Sequence, residues 1–343
     1  MYEIKDKIHI PTGFLFTTEC TRGLLETLSI GDYGKAHNVK ASFLGFDADV
    51  EKVANMRPEP ITEKWVVTLS TQYGCPMKCA FCDCPKVPFA GNASVEDLKA
   101  QLYNALACFP DAHYAGRLNI HFARMGEPAF NAANVFEFTR WMHDCKLEIK
   151  HDTGVAVDVL HPVFTTSSPK ALGVDAMRRI LREWCAIKND PHIYNGCAGL
   201  QLSINSTNEA QREEMFRGCA LSLEQIADIA TMLDEPLGRK YCLNFALADT
   251  YEVDARKLAE MFDTDKFMVK ITPIHNNDAC REGGIETSHG YADSSWYRKA
   301  ETDLIEAGFD TLIFVPSMDE EDGLVTCGNV ALSGSVPKNA IMA

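Results

Sequence analysis

No stretch of this chain approaches the roughly 18–20 consecutive apolar residues that a membrane span requires. Its first residues, MYEIKDKIHIPTG, hold no apolar core of the kind a signal peptide carries. A cytoplasmic protein with no membrane partner is therefore expected. Internal repeats, low-complexity tracts and long linkers are also missing, which leaves one large domain with an appendage as the expected organisation for 343 residues. Positive charge is scarce as well. Against 48 acidic residues stand 33 Lys and Arg, a formal charge of −15. Proteins that grip long stretches of nucleic acid present basic surfaces, because phosphate contacts supply much of the affinity. A large RNA footprint is not expected here.

Cysteine, by contrast, is abundant, with thirteen residues, an odd number. With nothing pointing to export, these thiols read as metal ligands, catalytic groups or small buried apolar residues rather than disulfides. Most fall in the last class, since free cysteine buries readily.

Short runs rich in β-branched and aromatic residues punctuate the chain at Trp65–Ser70, Leu118–Phe122, Val159–Thr165, Leu200–Ile204, Tyr241–Leu247 and Phe267–Ile274. Helical patterns separate them. The clearest starts at Ser94, where Ser-Val-Glu-Asp offers a cap before Leu98, Leu102 and Leu106. Others cover Ala133–Cys145, Lys170–Trp184, Leu223–Leu233, Val253–Phe262 and Ser294–Ala307. Strand and helix alternating in this way imply a parallel sheet with crossover helices. The expected fold is α/β, a partial (β/α)6 TIM-type barrel, with an open doubly wound sheet as its competitor. The barrel is assigned to residues 63–310. Residues 1–62 form a small N-terminal β extension, with a hairpin around Ala41–Phe46 and Val50–Ala54. Residues 311–343 add a strand-like Leu312–Val315 and a C-terminal tail.

The most specific feature is Gly74-Cys75-Pro-Met-Lys-Cys79-Ala-Phe81-Cys82. Three thiolates spaced C-x3-C-x2-C in one loop after a strand can ligate three irons of a [4Fe–4S] cluster. Ferredoxin-type clusters use four cysteines, so a three-cysteine loop leaves one iron open to the amino and carboxylate groups of S-adenosyl-L-methionine (SAM). Zinc is the alternative, with Cys84 as a fourth ligand, although zinc sites favour paired C-x2-C units. Phe81 stands just before the third cysteine, and in the radical SAM superfamily, which this loop resembles, an aromatic at that position lies near the adenine. Met125-Gly126-Glu127-Pro128 follows the second strand, at the carboxyl end of the sheet where such folds bind ligands. There a glycine permits close backbone approach and a carboxylate can hold an ammonium group.

With these motifs the chain resembles the class A radical SAM methyltransferases, typified by enzymes that methylate adenine carbons of ribosomal and transfer RNA. The similarity runs from about Phe43 to Gly334. It is best from Ser70 through Cys82 and in Pro88-Phe-Ala-Gly-Asn-Ala-Ser-Val-Glu-Asp-Leu98. The resemblance implies SAM contacts from Gly126, Glu127, Thr165, Ser203, Asn205 (where the family usually has His) and either His275 or Asn276. It implies an electron donor of the flavodoxin or ferredoxin type. Val325-Thr326-Cys327-Gly328-Asn329 is similar to the family's Ala-Cys-Gly-Gln, whose cysteine is methylated by one SAM. That S-methyl group then loses a hydrogen atom to a 5′-deoxyadenosyl radical and adds to an sp2 carbon. Glu51, in Val50-Glu-Lys-Val53, resembles the glutamate proposed to remove the ring proton; a surface carboxylate is the alternative.

Two departures bear on function. The family's resolving cysteine lies seven residues before the first cluster ligand, and here that position is Thr68. Cys20, Cys84, Cys197, Cys219 or Cys280 are the candidate replacements. The family's N-terminal RNA-binding module has no counterpart in the short extension, and Asp319-Glu-Glu-Asp322 precede Cys327 where phosphate would be repelled. A small unsaturated or heteroaromatic substrate is therefore expected over RNA. His121 and His161, near strand ends, read as structural.

Overall fold

The computed structural model describes residues 2–31, 60–275, 277–285, 294–314, 316, 318–326, 328 and 330–341. Its first elements lie where the sequence shows no clear rhythm. Strands β1 (Ile4–Ile10), β2 (Gly13–Cys20) and β3 (Gly23–Gly31) form an antiparallel meander with two-residue turns, Ile10 facing Gly13 and Cys20 facing Gly23. The expected hairpin over Ala41–Ala54 lies outside the described residues. β3 hides from pattern recognition because Leu25 through Gly31 are buried on both faces. Helix α1 (Val95–Ala107) covers one of them. There Thr27 donates to Gln101 Oε1 at 2.9 Å and Ser29 to the Ala105 carbonyl at 2.7 Å.

β3 pairs antiparallel with β4 (Lys64–Thr68), and from β4 onward the sheet is parallel. The strands are β7 (Tyr114–Phe122), β8 (Ala156–Thr166), β9 (Gly199–Ser203), β10 (Tyr241–Leu247), β11 (Phe267–Pro273) and β12 (Asp310–Ile313). A separate two-stranded ribbon joins β5 (Gln72–Tyr73) to β6 (Gly91–Asn92). The large sheet runs β1-β2-β3-β4-β7-β8-β9-β10-β11-β12. Strand order that follows sequence order, with right-handed crossovers, keeps the crossover helices on one face. This is the barrel arrangement; a doubly wound sheet would reverse direction part-way. All six expected barrel strands are present, and β12 extends the parallel array by one.

The crossovers include α2 (Ala132–Asp144), α3 (Lys146–Thr153), α4 (Gly173–Asn189), α5 (Glu209–Phe216), α6 (Leu223–Thr231), α7 (Ala255–Met261), α8 (Asp278–Glu282) and α9 (Ser294–Glu306). The sheet's period of two decides what faces them. On β7, Leu118, Ile120 and Phe122 are fully buried toward the helices, and Arg117, Asn119 and His121 alternate onto the inner face. Trp184 of α4 fills the space between, with ring centroids 5.2 Å from Phe164 and 6.4 Å from Phe122. The tail carries α10 (Met318–Asp322). Leu324, Val325 and Ala331 pack on the opposite face of the meander, against a small core of Ile10, Leu15, Leu28 and Ile30. Among the described residues no helix is long and apolar enough to cross a membrane.

Candidate active site

The three-cysteine loop leaves the carboxyl end of β4 under tight control. The Gln101 side chain accepts from Ser70 N at 2.9 Å and donates to Ser70 O at 3.0 Å, while Ser70 Oγ donates to the Glu26 carbonyl at 2.5 Å. Gly74 then takes a φ of +72°. A Cβ there would sit 2.7 Å from the carbonyl oxygens of both Val87 and Pro88, so only glycine lets the chain turn into Cys75. Further along, Ala80 N donates to Met215 O at 2.7 Å, fastening the loop to α5, and Cys84 N donates to Cys82 Sγ at 3.4 Å.

These contacts set the thiols' electrostatics. Burial pushes the Cys79 thiol well above its ordinary value, and Cys82 and Cys75 add to the shift as neighbouring negative charges. The Cys82 thiol is lowered instead, first by its hydrogen bonding with Cys84. Cys75 and Cys82 thus both lie near Cys79. Among the described residues no group of His, Cys, Asp or Glu gathers round a single-ion position. Three thiols in one short loop, two of them near enough to the third to raise it, are a donor set of the kind that iron–sulfur clusters take. The site fits Cys75, Cys79 and Cys82 as ligands of a [4Fe–4S] cluster.

Next to the loop stands Glu127, which is 4% exposed. Its Oε1 accepts from Thr166 Oγ1 at 2.6 Å and Ala129 N at 3.0 Å, and its Oε2 accepts from Ser167 N at 2.9 Å. A carboxylate has about four acceptor positions, so three bonds leave room for a further donor. Burial raises its pKa, with the hydrogen bonds opposing. Among the described residues no cationic side chain pairs with it. A buried carboxylate with no cation is costly, and an arriving ammonium would relieve that cost. Gly126, at φ +101°, makes this geometry. A Cβ would come within 2.7 Å of Gln72 Cβ and 2.8 Å of Gln72 N. Gln72 in turn accepts from Glu127 N at 2.8 Å and donates to Asn92 at 2.7 Å, tying the two motifs together.

The remaining expected contacts lie along the inner rim of the barrel. Thr165 Oγ1 is buried without a hydrogen-bond partner, as are Asn244 Oδ1 and Thr272 Oγ1. Ser203, Asn244 and Lys270 stand in register on β9, β10 and β11. Buried orphan oxygens are rare in folded proteins, and three on one inner wall fit a polar ligand. Asn205 takes φ +65° and spends its side-chain oxygen on Ala246 N at 2.9 Å, which ties it to β10. Phe81 packs edge-on against Phe216, with centroids 5.9 Å apart. His275 Nδ1 meets Glu321 Oε2 at 2.5 Å. Asn276, Glu51 and Cys327 lie outside the described residues.

What flanks Cys327 is described. Gly328 O accepts from Asp83 N at 2.8 Å and from Asn277 Nδ2 at 3.4 Å, while the same Asn277 nitrogen donates to Phe81 O at 3.1 Å. The tail is thus joined to the loop one residue from Cys82. A second anchor is the ion pair of Glu26 and Arg124, 0% and 2% exposed. Arg124 Nη1 donates to Leu324 O at 2.7 Å, and Glu26 Oε2 accepts from Leu332 N at 2.8 Å. Sequence reasoning missed Gln72, Glu26, Arg124 and Asp83. Only Gln72 carried a signal, through its place in Ser70–Cys82. The acidic run is partly buried, with Glu320 5% exposed and Glu321 against His275.

Of the candidate resolving thiols, Cys84 and Cys280 border the cluster loop. Cys84 donates to Arg124 O at 3.6 Å and Cys280 to Phe81 O at 3.5 Å. Cys219 acts on Cys79 electrostatically. Cys197 acts instead on Arg117 and Arg239, below the barrel's middle.

No family model matches the chain. A protein of Pseudothermotoga lettingae named "Probable dual-specificity RNA methyltransferase RlmN" is 27% identical over 212 residues, covering 61% of this chain and 54% of that protein. A protein of the same name from Chlorobaculum tepidum is 27% identical over 225 residues, covering 64% and 53%. The "Dual-specificity RNA methyltransferase RlmN" of Solidesulfovibrio magneticus is 24% identical over 218 residues, covering 62% and 55%. The chain spans about half the length of the curated relatives it matches. Among solved structures, a radical SAM methyltransferase from Sphaerobacter thermophilus superposes with a TM-score of 0.67 at 15% identity, over 96% of this chain and 81% of that one. The two share a fold.

Proposed function

Taking the chain as a divergent relative of the radical SAM methyltransferases, we propose that it is a radical SAM enzyme transferring a one-carbon unit to an sp2 carbon. When bound, the cluster and SAM supply a methyl group and, by one-electron reduction, a 5′-deoxyadenosyl radical. Cys75, Cys79 and Cys82 hold the cluster as thiolates. Glu127 receives the SAM ammonium, Gly126 keeps the backbone clear, and Thr165 and Ser203 offer hydroxyls to the nucleoside side. Cys327 gives up its thiol proton and takes the methyl on sulfur. Loss of one hydrogen atom from that S-methyl group leaves a carbon radical that bonds to the acceptor. Glu51 is the proposed base for the acceptor's proton. With Thr68 at the family's second cysteine position, Cys84, Cys280 or Cys219 is left to release the adduct. A ferredoxin- or flavodoxin-type donor and a reducing, cytoplasmic setting complete the reading.

The observation that carries it is the bond from Asp83 N to the carbonyl of Gly328, which ties the residue after Cys327 to the loop of Cys82. The test is mass spectrometry of anaerobically reconstituted protein given methyl-deuterated SAM, beside Cys327→Ala. A labelled methyl on the Cys327 peptide, lost in the variant, is expected. SAM cleavage with Cys327 unmodified sinks the carrier role and leaves another radical SAM chemistry on a peptide or small molecule.

The acceptor is proposed to be a small unsaturated or heteroaromatic molecule, on the strength of the −15 charge and the Asp319–Asp322 run. RNA is the second reading, favoured by the names of the sequence relatives. Filter binding of a structured RNA across a salt series separates them. RNA affinity that falls linearly in log–log with salt supports the second.

A further inference from the structure

We propose that Cys84 raises the reduction potential of the cluster by donating hydrogen bonds to the Cys82 sulfur, from its backbone N–H and from its thiol. The inference rests on the reading of Cys75, Cys79 and Cys82 as cluster ligands. It gives Cys84 a part that is neither ligation nor adduct release, and leaves the latter to Cys280 or Cys219.

The chain folds so as to bring this residue back onto the ligand. Soon after Cys82 it enters a 3-10 turn over Cys84–Lys86, closed by Lys86 N donating to Asp83 O at 2.9 Å and Val87 N to Cys84 O at 3.0 Å. Pro85, with its fixed φ, stiffens the turn from inside. The result aims Cys84 N at Cys82 Sγ, 3.4 Å away. The Cys84 side chain is buried, and its Sγ lies 3.6 Å from Arg124 O. That carbonyl is itself held in place, since Arg124 N donates to Leu69 O at 3.1 Å. The same thiol bears on Cys82 as a hydrogen-bond donor, and thiol and N–H together lower Cys82 against the opposing effect of burial. One thiol proton therefore has two acceptors, a carbonyl and a ligand sulfur.

Nearby charge does not supply this bias. Asp83 and Arg124 act on Cys82 in opposite senses, and each acts more weakly than either Cys84 donor. Both are also paired, Asp83 with Lys86 at 3.0 Å and Arg124 with Glu26. Ion pairs that cancel leave the hydrogen bonds as the main polar influence on this sulfur.

Hydrogen bonds to ligand sulfurs are among the factors that set iron–sulfur potentials. Reduction adds negative charge that spreads onto the sulfurs. A donor thus stabilises the reduced state more than the oxidised one, and the potential rises. The thiol adds a dependence on state, because its proton serves Arg124 O until the sulfur becomes negative enough to draw it. The consequence is a cluster that its electron donor reduces more readily than one whose sulfurs face apolar groups.

The test follows the potential of anaerobically reconstituted full-length protein, without SAM or turnover. Redox titrations monitored by electron paramagnetic resonance compare the wild type with Cys84→Ala, Cys84→Ser and the exposed control Cys197→Ala. At a fixed potential, Cys84→Ala should lower the ratio of reduced to oxidised cluster about tenfold, equal to about 59 mV for one electron. Cys84→Ser keeps a donor and should retain most of the wild-type potential, and Cys197→Ala should match it. In heavy water, electron–nuclear double resonance of the reduced wild type should show an exchangeable deuteron that Cys84→Ala loses, while the amide deuteron stays in both. Equal potentials and equal deuteron couplings in wild type and Cys84→Ala overturn the proposal. So does an equal shift in the Ala and Ser variants, which assigns the effect to packing. Loss of the iron–sulfur absorption from Cys84→Ala makes Cys84 a ligand and overturns it too. A wild type that takes up no cluster overturns the reading of the three ligands and this inference with it.

Discussion

Arg124 and Glu26 are bonded through Nε and Oε1 at 2.8 Å, and each also holds one side of the tail segment that contains Cys327. The pair is buried, so its attraction operates with little screening, but so does the penalty for breaking it. Its importance lies less in net stability than in what it fixes. Leu324 and Leu332 are anchored to one charged unit beside the Gly126–Glu127 turn.

Removing one member should therefore do two things. Glu26→Gln leaves the Arg124 charge without its counterion and should cost about 3–5 kcal/mol in chemical denaturation. It should also raise amide exchange in residues 324–332 beyond the change in the barrel. A double replacement, Glu26→Leu with Arg124→Met, should recover stability while the tail stays loose. If exchange in the tail follows global stability and nothing more, the anchor has no local role.

At Gly126 the limit is steric. Alanine would need φ near +101° and a Cβ inside the contact distance of Gln72. The strain is expected to cost about 1–3 kcal/mol and to pull Glu127 N from Gln72. Equilibrium dialysis should show SAM affinity reduced at least tenfold. Unchanged affinity would remove Gly126 from the SAM site.

Glu127 predicts a pH dependence with a definite sign. Its folded pKa is raised, first by burial. A raised carboxyl pKa means the folded state holds its proton more tightly than the unfolded chain. Its contribution to SAM-free stability is thus greatest at acidic pH and falls as pH rises through the shifted value. SAM affinity should run the opposite way, because only the carboxylate attracts the ammonium, and should weaken on acidification from above the ordinary carboxylate range. Glu127→Gln should bind SAM weakly and with a flat profile. A sloping profile in the variant would assign the titration elsewhere.

Cys84 gives the sharpest test of metal identity. Its buried sulfur donates to Arg124 O, so alanine should leave the broad iron–sulfur absorption of reconstituted protein intact. Alanine at Cys75, Cys79 or Cys82 should abolish it. Loss of metal from Cys84→Ala, with zinc instead of iron found in the wild type, would favour the four-cysteine zinc alternative.

These tests depend on features of unequal visibility in the sequence. The six barrel strands were legible because parallel strands buried on both sides make short apolar runs. Helix α1 was legible at its start, and its capping box is present, Ser94 Oγ accepting from Asp97 N at 3.1 Å and Asp97 Oδ2 from Ser94 N at 2.8 Å. The cysteine loop was legible because its spacing is itself the ligand geometry. β3 was not, since its alternation is erased where α1 and the tail cover opposite faces. Nor was the pairing of Glu26 with Arg124, whose 98-residue separation leaves no local mark.

The docking of the tail also fixes an order of assembly. Leu324 leaves the ribosome 200 residues after Arg124, and Leu332 leaves 306 residues after Glu26. Until then the loop from Cys75 to Asp83 is held by Met215 and Asn277 and not by the tail, because Gly328 is the residue that meets Asp83. A nascent chain stalled before Leu324 would be a barrel waiting for its clasp, with Arg124 and Glu26 paired to each other but holding nothing of the tail.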